Sequence, residues 1–197
     1  EHFTPFRPDP APGGAAGYVQ PYHDCPWDRE PVGQSVYLNL IYRAKDYIYI
    51  TTPYLVIDYS LTMALTTAAK SGVDVRIITP HIPDKKSVFE LTRSHYEGLL
   101  EAGVKVFEYE PGFIHSKNFV VDDRFATVGT VNLDYRSMFL HFENGVLLHD
   151  TPSVAHIQAD FLDTQSKSLP ITLKDCRSIS LPHRLLRDLL QLFAPLL

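Results

Sequence analysis

The sequence has little cysteine, little net charge and no long apolar run. Its 197 residues include two cysteines, Cys25 and Cys176, which lie far apart and form neither a metal-binding nor a redox spacing. This scarcity excludes a disulfide scaffold and favours reduced, unpaired thiols. No apolar stretch approaches the roughly 20 residues that a membrane-spanning helix needs, and no secretory signal peptide is visible.

Charge and composition exclude further classes of protein. Eighteen Lys and Arg residues against 23 Asp and Glu leave a formal net charge of −5, which argues against a dedicated nucleic-acid binder. We therefore expect no nucleic-acid partner. With 45% hydrophobic and 21% charged residues, the chain is neither disordered nor collagen-like, and its length suits one full hydrophobic core.

Proline divides the chain unevenly. Seven of the 15 prolines fall within residues 1–31, which predicts a linker or surface arm there, a folded domain over 32–170 and an amphipathic tail over 171–197. The tail has basic residues at its start and many leucines; it either lies in a membrane interface or packs on the domain. The chain begins with Glu1, so we expect further sequence upstream.

The elements of the first half alternate between strand and helix. Apolar spacing, proline and glycine positions predict helix 33–46, strand 47–52, a helix capped by Asp58 or Ser60, strand 73–79, a helix from the capping box Ser87–Glu90 to Gly103, and strand 104–109. This order predicts an α/β fold with a parallel or mixed β-sheet covered by helices.

The second half changes to consecutive strands. Strands are predicted over 113–121, 125–130 and 142–148, with a polar turn at 122–124 between the first two. On the first of these strands, His115 and Lys117 project from one face, about 7 Å apart, because side chains alternate with period two.

These two residue types suit phosphate chemistry. His115 can act as a nucleophile or proton donor near neutral pH, and Lys117 provides a positive charge with three donors. Thr130 and Asn132 at the end of the next strand would add neutral donors, which describes a metal-free pocket for a tetrahedral phosphoryl group. The alternative is a solvated His-x-Lys strand face without chemistry.

The full spacing resembles a known signature. The HKD motif of the phospholipase D superfamily matches at His115-x-Lys117-x4-Asp122-x6-Gly129-Thr130-x-Asn132. The flanking segments, such as "YIYITTPYLVID" and "GTVNLDYRSMFLHFENGV", resemble the C-terminal half of bacterial cardiolipin synthases over nearly the whole chain. The resemblance implies a phospholipase D-like mixed β-sheet flanked by helices on both faces.

The resemblance also implies residue roles. His115 is the motif histidine, Lys117 and Asn132 hold the phosphate, Thr130 takes the family's Ser/Thr position, and Glu143 orients a motif histidine.

Two further roles follow from the residues themselves. Asp122 belongs to the motif, but its place in the predicted turn indicates a structural side chain that bonds nearby backbone amides. Arg136, with Arg93 and His95, either lines the pocket mouth and meets lipid phosphates or has a structural partner.

The family mechanism needs two histidines. It is a double displacement through a phosphohistidine, with phosphatidylglycerol as donor and acceptor and no cofactor or metal. His115 heads the sole His-x-Lys in this sequence, so the second motif comes from an N-terminal half upstream or from a second copy of the chain. The resemblance places the enzyme at the bacterial cell membrane. The competing functions are another HKD phosphodiesterase, acting on lipid or nucleic acid, and a non-catalytic membrane-associated half.

Overall fold

An eight-stranded β-sheet forms the centre of the computed structural model, which describes residues 16–27 and 29–194. The ten strands are β1 (Tyr18–Asp24), β2 (Tyr47–Thr51), β3 (Leu55–Val56), β4 (Asp74–Pro80), β5 (Lys105–Tyr109), β6 (Asn118–Val121), β7 (Phe125–Gly129), β8 (Leu133–Asp134), β9 (Glu143–His149) and β10 (Ser168–Ile171). The large sheet has the order β1-β9-β7-β6-β2-β4-β5-β10, and β3 pairs with β8 separately.

The large sheet is mixed, as the sequence predicts. Strands β2, β4 and β5 run parallel, with the connecting helices that parallel neighbours require. The pairs β2–β6, β6–β7, β7–β9, β9–β1 and β5–β10 are antiparallel. All five residues of β2 are buried, because this strand lies in the middle of the sheet with helices on both sides.

Eight helices within residues 29–194 surround the sheet. They are α1 (Val32–Arg43), α2 (Tyr59–Lys70), α3 (Lys86–Ser94), α4 (Tyr96–Glu101), α5 (Tyr135–Phe139), α6 (Pro152–Ser166), α7 (Leu173–Arg177) and α8 (Leu181–Leu192). One core contains apolar side chains of α1, α2 and α4. The core on the opposite face contains Val154 and Phe161 of α6. Helices therefore cover both faces, which confirms the predicted fold class.

The prediction of a linker or arm over residues 1–31 is wrong for strand β1. This strand pairs along its whole length with β9, and Tyr22 is buried with its hydroxyl 2.8 Å from Thr127 Oγ1. Its last residue, Asp24, accepts a 2.7 Å hydrogen bond from the Gly33 amide and so ties β1 to α1. Residues 1–15 and residue 28 of the predicted range lie outside the described part of the chain.

The predicted single helix from Ser87 to Gly103 is also wrong. Two helices, α3 and α4, meet at His95, and α3 begins one residue earlier than the proposed capping box. No capping box forms, because the Glu90 carboxylate accepts hydrogen bonds from His183 (2.6 Å) and Arg187 (2.8 Å) of α8. A contact distant in sequence replaces the local one.

The described part of the predicted tail, residues 171–194, packs on the domain. Its first residue, Ile171, ends strand β10, and α8 lies against α3 through the contacts of Arg187 and His183 with Glu90. Leu190 packs on an apolar cluster of the domain, whereas Leu185 and Leu192 are 70% and 75% exposed. Among the helices within 16–194, none combines the length and apolar character that crossing a bilayer requires.

Candidate active site

With the exception of Asp122, the predicted site residues collect at one edge of the large sheet. The carboxyl end of β2 meets the amino end of β6 there, since Thr51 is opposite Asn118. The end of β7 faces β9 at the same edge, with Gly129 opposite Gly145. Residues that follow β7 or precede β6 and β9 therefore lie side by side, although up to 28 positions separate them in the sequence.

His115 and Lys117 precede strand β6 instead of lying in it. The sequence predicts a strand from residue 113, whereas β6 begins at Asn118. The Lys117 ammonium turns back and donates a 2.7 Å hydrogen bond to the His115 carbonyl oxygen. The His115 ring remains exposed, and its centroid lies 5.7 Å from that of Phe113. An exposed imidazole next to an anchored ammonium leaves the histidine accessible to a substrate.

Lys117 is the buried cation of this edge. It is only 8% exposed, and no carboxylate of the described chain lies within ion-pair distance of its ammonium. Burial lowers the pKa of Lys117, although the negative charges of Glu143 and Asp134 act in the opposite direction. An ammonium in this setting gains free energy from an incoming anion, because the anion supplies the counter-charge that water no longer provides.

Thr130 and Glu143 bind each other. The Thr130 hydroxyl donates to the Glu143 carboxylate, and the Asn144 amide donates to the same hydroxyl oxygen at 2.9 Å. A side chain at Gly129 would meet the Asn144 carbonyl, so the motif glycine permits this close approach of β7 to β9. The structure thus brings Thr130 and Glu143 together but does not place Glu143 against His115.

Asn132 reaches the site from a firmly held segment. The carbonyl of Val131 accepts a 2.8 Å hydrogen bond from the Tyr37 hydroxyl, and the Leu133 amide donates to Thr52 Oγ1 at 3.3 Å. The side-chain oxygen of Asn132 is buried without a hydrogen-bond partner in the part of the chain that the structure describes. This oxygen therefore has its accepting capacity available for a hydrogen-bond donor.

Asp122 lies at the opposite end of β6 from Lys117. Its carboxylate accepts hydrogen bonds from three consecutive backbone amides, those of Lys45 (2.7 Å), Asp46 (3.0 Å) and Tyr47 (2.8 Å). These contacts attach the β6–β7 turn to the start of β2. Asp122 therefore bonds backbone amides, but the prediction of nearby amides is wrong, because the three amides are 75 to 77 positions away.

The three residues assigned to the pocket mouth separate in the structure. Arg136 is exposed and lines a cavity that also contains Asn132. Arg93 instead forms two hydrogen bonds, of 2.7 and 2.6 Å, with the fully buried Glu108. His95 lies at the junction of α3 and α4 with a buried Nε2 atom. Of the three, Arg136 alone lies beside a residue of the HKD motif.

Asp134 is a site residue that the sequence reasoning missed. Its carboxylate accepts a 2.7 Å hydrogen bond from the Ser137 amide and caps α5. Burial raises the pKa of Asp134, while its negative charge acts on Lys117. The available signal is an Asp directly before the segment Tyr135-Arg136-Ser137-Met138-Phe139, because Asp is a preferred N-cap residue.

Comparisons with known proteins identify the family of the chain. Residues 37–164 match the family model described as "Cardiolipin synthase, PLD-like domain". A cardiolipin synthase of Halalkalibacterium halodurans is 40% identical over 181 residues, which are 92% of this chain and 36% of that protein. The chain spans 36–40% of the length of the first curated relatives that it matches.

Solved structures share the fold at low sequence identity. The phospholipase D family member Nuc from Salmonella typhimurium aligns with a TM-score of 0.66 at 19% identity, over 79% of this chain and 99% of that one. The phosphatidylserine synthase of Haemophilus influenzae aligns with a TM-score of 0.69 at 20% identity, over 90% of this chain and 45% of that one. The family match covers more than half of the sequence, and the chain therefore belongs to the phospholipase D-like domain family of cardiolipin synthases.

Proposed function

We propose that the chain catalyses phosphatidyl transfer in cardiolipin synthesis, as the C-terminal HKD half of the active enzyme. One observation carries this proposal: the buried Lys117 ammonium has a backbone carbonyl as its hydrogen-bond partner and lies beside the exposed His115. Such a cation binds a phosphodiester more strongly than a solvated lysine does, because little water competes for it.

In the first step, a histidine nitrogen attacks the phosphorus of phosphatidylglycerol. A nitrogen–phosphorus bond forms, the bond between phosphorus and the glycerol oxygen breaks, and a second histidine protonates the departing glycerol. Lys117 and Asn132 stabilise the charge on the non-bridging oxygens. We assign His115 the acid–base role, because the N-terminal histidine is the usual nucleophile in two-motif members of the superfamily.

In the second step, the acceptor replaces the histidine. His115 removes the proton from a hydroxyl of a second phosphatidylglycerol, whose oxygen attacks the phosphohistidine and releases the free imidazole. The products are cardiolipin and glycerol. No step needs a metal or a redox cofactor, since the histidines move the protons and the fixed donors stabilise the developing charge.

The partner histidine comes from outside this chain on our proposal. The sequence contains one His-x-Lys pair, so the second motif belongs to an N-terminal half or to a second copy. Glu143 supports this arrangement, because Thr130 rather than His115 holds its carboxylate. We assign Glu143 to orient the incoming histidine, which would fix the tautomer of that ring. We further propose that the complete enzyme works at the bacterial cell membrane, where its lipid substrates lie.

The experiment co-expresses the 197-residue chain with the remaining N-terminal part of the Halalkalibacterium halodurans enzyme and supplies phosphatidylglycerol vesicles. We expect His115→Ala to abolish cardiolipin, measured by mass spectrometry. The matched control is His156→Ala, which alters an exposed histidine of α6. Undiminished cardiolipin from the His115→Ala protein would contradict the assignment, and phosphatidic acid in place of cardiolipin would show hydrolysis instead of transfer.

A further inference from the structure

The cavity that Arg136 lines adjoins Asn132, the proposed phosphate-binding asparagine. It has a volume of about 180 Å³ and lies between the loop after β4, the start of α3 and helix α5. Its polar lining consists of Tyr54, Lys85, Asn132, Asp134, Arg136 and His141. Pockets for drug-sized ligands span roughly 300–1,000 Å³, so this cavity suits a headgroup fragment and not an acyl chain.

We propose that this cavity is a second phosphate subsite, which holds the phosphodiester of the acceptor lipid headgroup during transfer. The inference rests on the proposed function and adds the recognition of the acceptor to it. Asn132 separates the two subsites, since it belongs to the HKD motif and lines the cavity as well.

The charged groups of the cavity favour an anion. Arg136 donates through Nε to His141 Nε2 at 3.1 Å, which leaves the outer face of the guanidinium for a phosphate. Lys85 adds a second positive charge on an exposed side chain. The one acidic lining residue, Asp134, already accepts the Ser137 amide at 2.7 Å as a helix cap. Among the lining residues, the two cations therefore outnumber the single carboxylate, and the nearby Asp84 carboxylate is engaged by the Tyr54 hydroxyl at 2.5 Å.

The first turn of α3 gives independent support. This nine-residue helix begins after Lys85, has no side-chain cap and has no acidic residue in its first turn. Val88 of the same turn lines the cavity. Uncapped amides and the positive end of the helix dipole attract anions. The unpartnered Asn132 side-chain oxygen would accept a hydrogen bond from a hydroxyl of the same ligand.

The proposed reaction requires two phosphate groups that are one glycerol apart. In cardiolipin, one glycerol links two phosphodiesters. When the acceptor hydroxyl attacks the phosphorus at Lys117, the acceptor's own phosphodiester must therefore lie one glycerol away. The cavity begins at Asn132, next to the reacting phosphate. A subsite there would favour phosphatidylglycerol over water and over uncharged alcohols as the acceptor.

The test uses soluble headgroup analogues and the 197-residue chain. Isothermal titration calorimetry compares glycerol 1,3-bisphosphate, which spans both subsites, with glycerol 1-phosphate, which fills one. We expect the bisphosphate to bind about tenfold more tightly, because a charge-assisted hydrogen bond to phosphate makes a contribution of this size. Pyrophosphate controls for charge, since its two phosphorus atoms share one oxygen and cannot span the sites.

Variants test which side chains cause the tighter binding of the bisphosphate. Arg136→Ala and Lys85→Ala should each reduce the preference for the bisphosphate severalfold. Lys70→Ala should preserve it, because Lys70 is an exposed residue at the end of α2, near the opposite edge of the sheet. Lys117→Ala should weaken both ligands, since both use the first subsite.

Three results would overturn the inference. The first is equal affinity for the two glycerol phosphates, and the second is a preference that survives in both the Arg136→Ala and the Lys85→Ala proteins. The third is tighter binding of a short single-stranded oligonucleotide, which would assign the cavity to a nucleic-acid backbone. If neither glycerol phosphate binds, the proposed function is rejected together with the subsite. Equal affinity for the two ligands rejects the subsite alone, so the two failures can be distinguished.

Discussion

The two ends of strand β6 differ in how completely their charged side chains are satisfied. At one end, the Asp122 carboxylate accepts three backbone amides at 2.7–3.0 Å. At the other end, the Lys117 ammonium is buried and donates a hydrogen bond to the His115 carbonyl oxygen. Asp122 and Lys117 are thus only five positions apart in one motif. The Asp122 carboxylate has three hydrogen-bond donors, whereas the Lys117 ammonium has no counter-ion in the described part of the chain.

This difference separates structural from chemical members of one motif. A charge that its own fold satisfies has little free energy left to gain from a ligand. A desolvated charge without a partner gains much more from a ligand of opposite sign. Asp122 therefore contributes to the stability of the β6–β7 turn, whereas on the proposed function Lys117 retains its interaction free energy for a phosphate.

The largest expected effect is at the Lys117 end. Lys117→Met should lower phosphatidyl transfer by about 10²–10³-fold, the range found when one donor to a developing negative charge is lost. The same change should leave the melting temperature unchanged or raise it, because it removes a desolvated charge from the fold. Transfer rate by mass spectrometry and melting by circular dichroism measure the two quantities on one preparation. A large fall in melting temperature would show that Lys117 is structural.

The next effect is at the other end of β6. Asp122→Ala should lower the free energy of unfolding by about 3 kcal/mol, because three backbone amides, one of them part-buried, lose a charged acceptor. Asp123→Ala is the matched control: both residues have positive φ (52° and 57°), but the Asp123 carboxylate accepts a single bond, from the Tyr47 hydroxyl. Urea unfolding gives both values, and equal losses would remove the special role of Asp122.

The smallest effect tests burial without function. Burial lowers the pKa of His95 to about 4, below the roughly 6.5 of an unfolded histidine. Between these values the unfolded state binds more protons, so stability should fall as the pH drops through this window, by about 2 kcal/mol after allowance for partial exposure.

The measurement is urea unfolding at pH 7 and pH 4.5. His95→Gln should flatten the decline, whereas His156→Gln, at an exposed site on α6, should preserve it. The same slope in the wild-type and His95→Gln proteins would exclude His95 as the cause. A decline that depends on His95 would show that burial shifts a pKa in this fold outside the proposed site as well.

Local signals predicted most of the fold. The alternation of apolar strands and amphipathic helices predicts a mixed sheet with helices on both faces, since each element must bury its apolar side. The cap at Asp58 is confirmed by its 2.9 Å bond from the Leu61 amide. The capping box of Ser87 and Glu90 fails because ion pairs with α8 engage Glu90.

The prediction of residues 1–31 fails for a related reason. Its prolines and glycines are typical of a linker, yet the pairing of β1 with β9 orders residues 18–24. Backbone pairing depends on the presence of a free strand edge, which composition does not report. In the same way, the burial of Lys117 and the nearby charges of Glu143 and Asp134 depend on strands that meet only in the folded sheet.

The sequence by itself determined the family and the identity of the motif residues, because fixed spacings of chemically distinct side chains are a local property. Tertiary structure alone decided the state of each residue: Asp122 with three amide partners, Lys117 desolvated, Glu143 held by Thr130, and Arg136 placed beside Asn132. Solvation and charge pairing arise from neighbours in space, and the folding of the sheet brings those neighbours together.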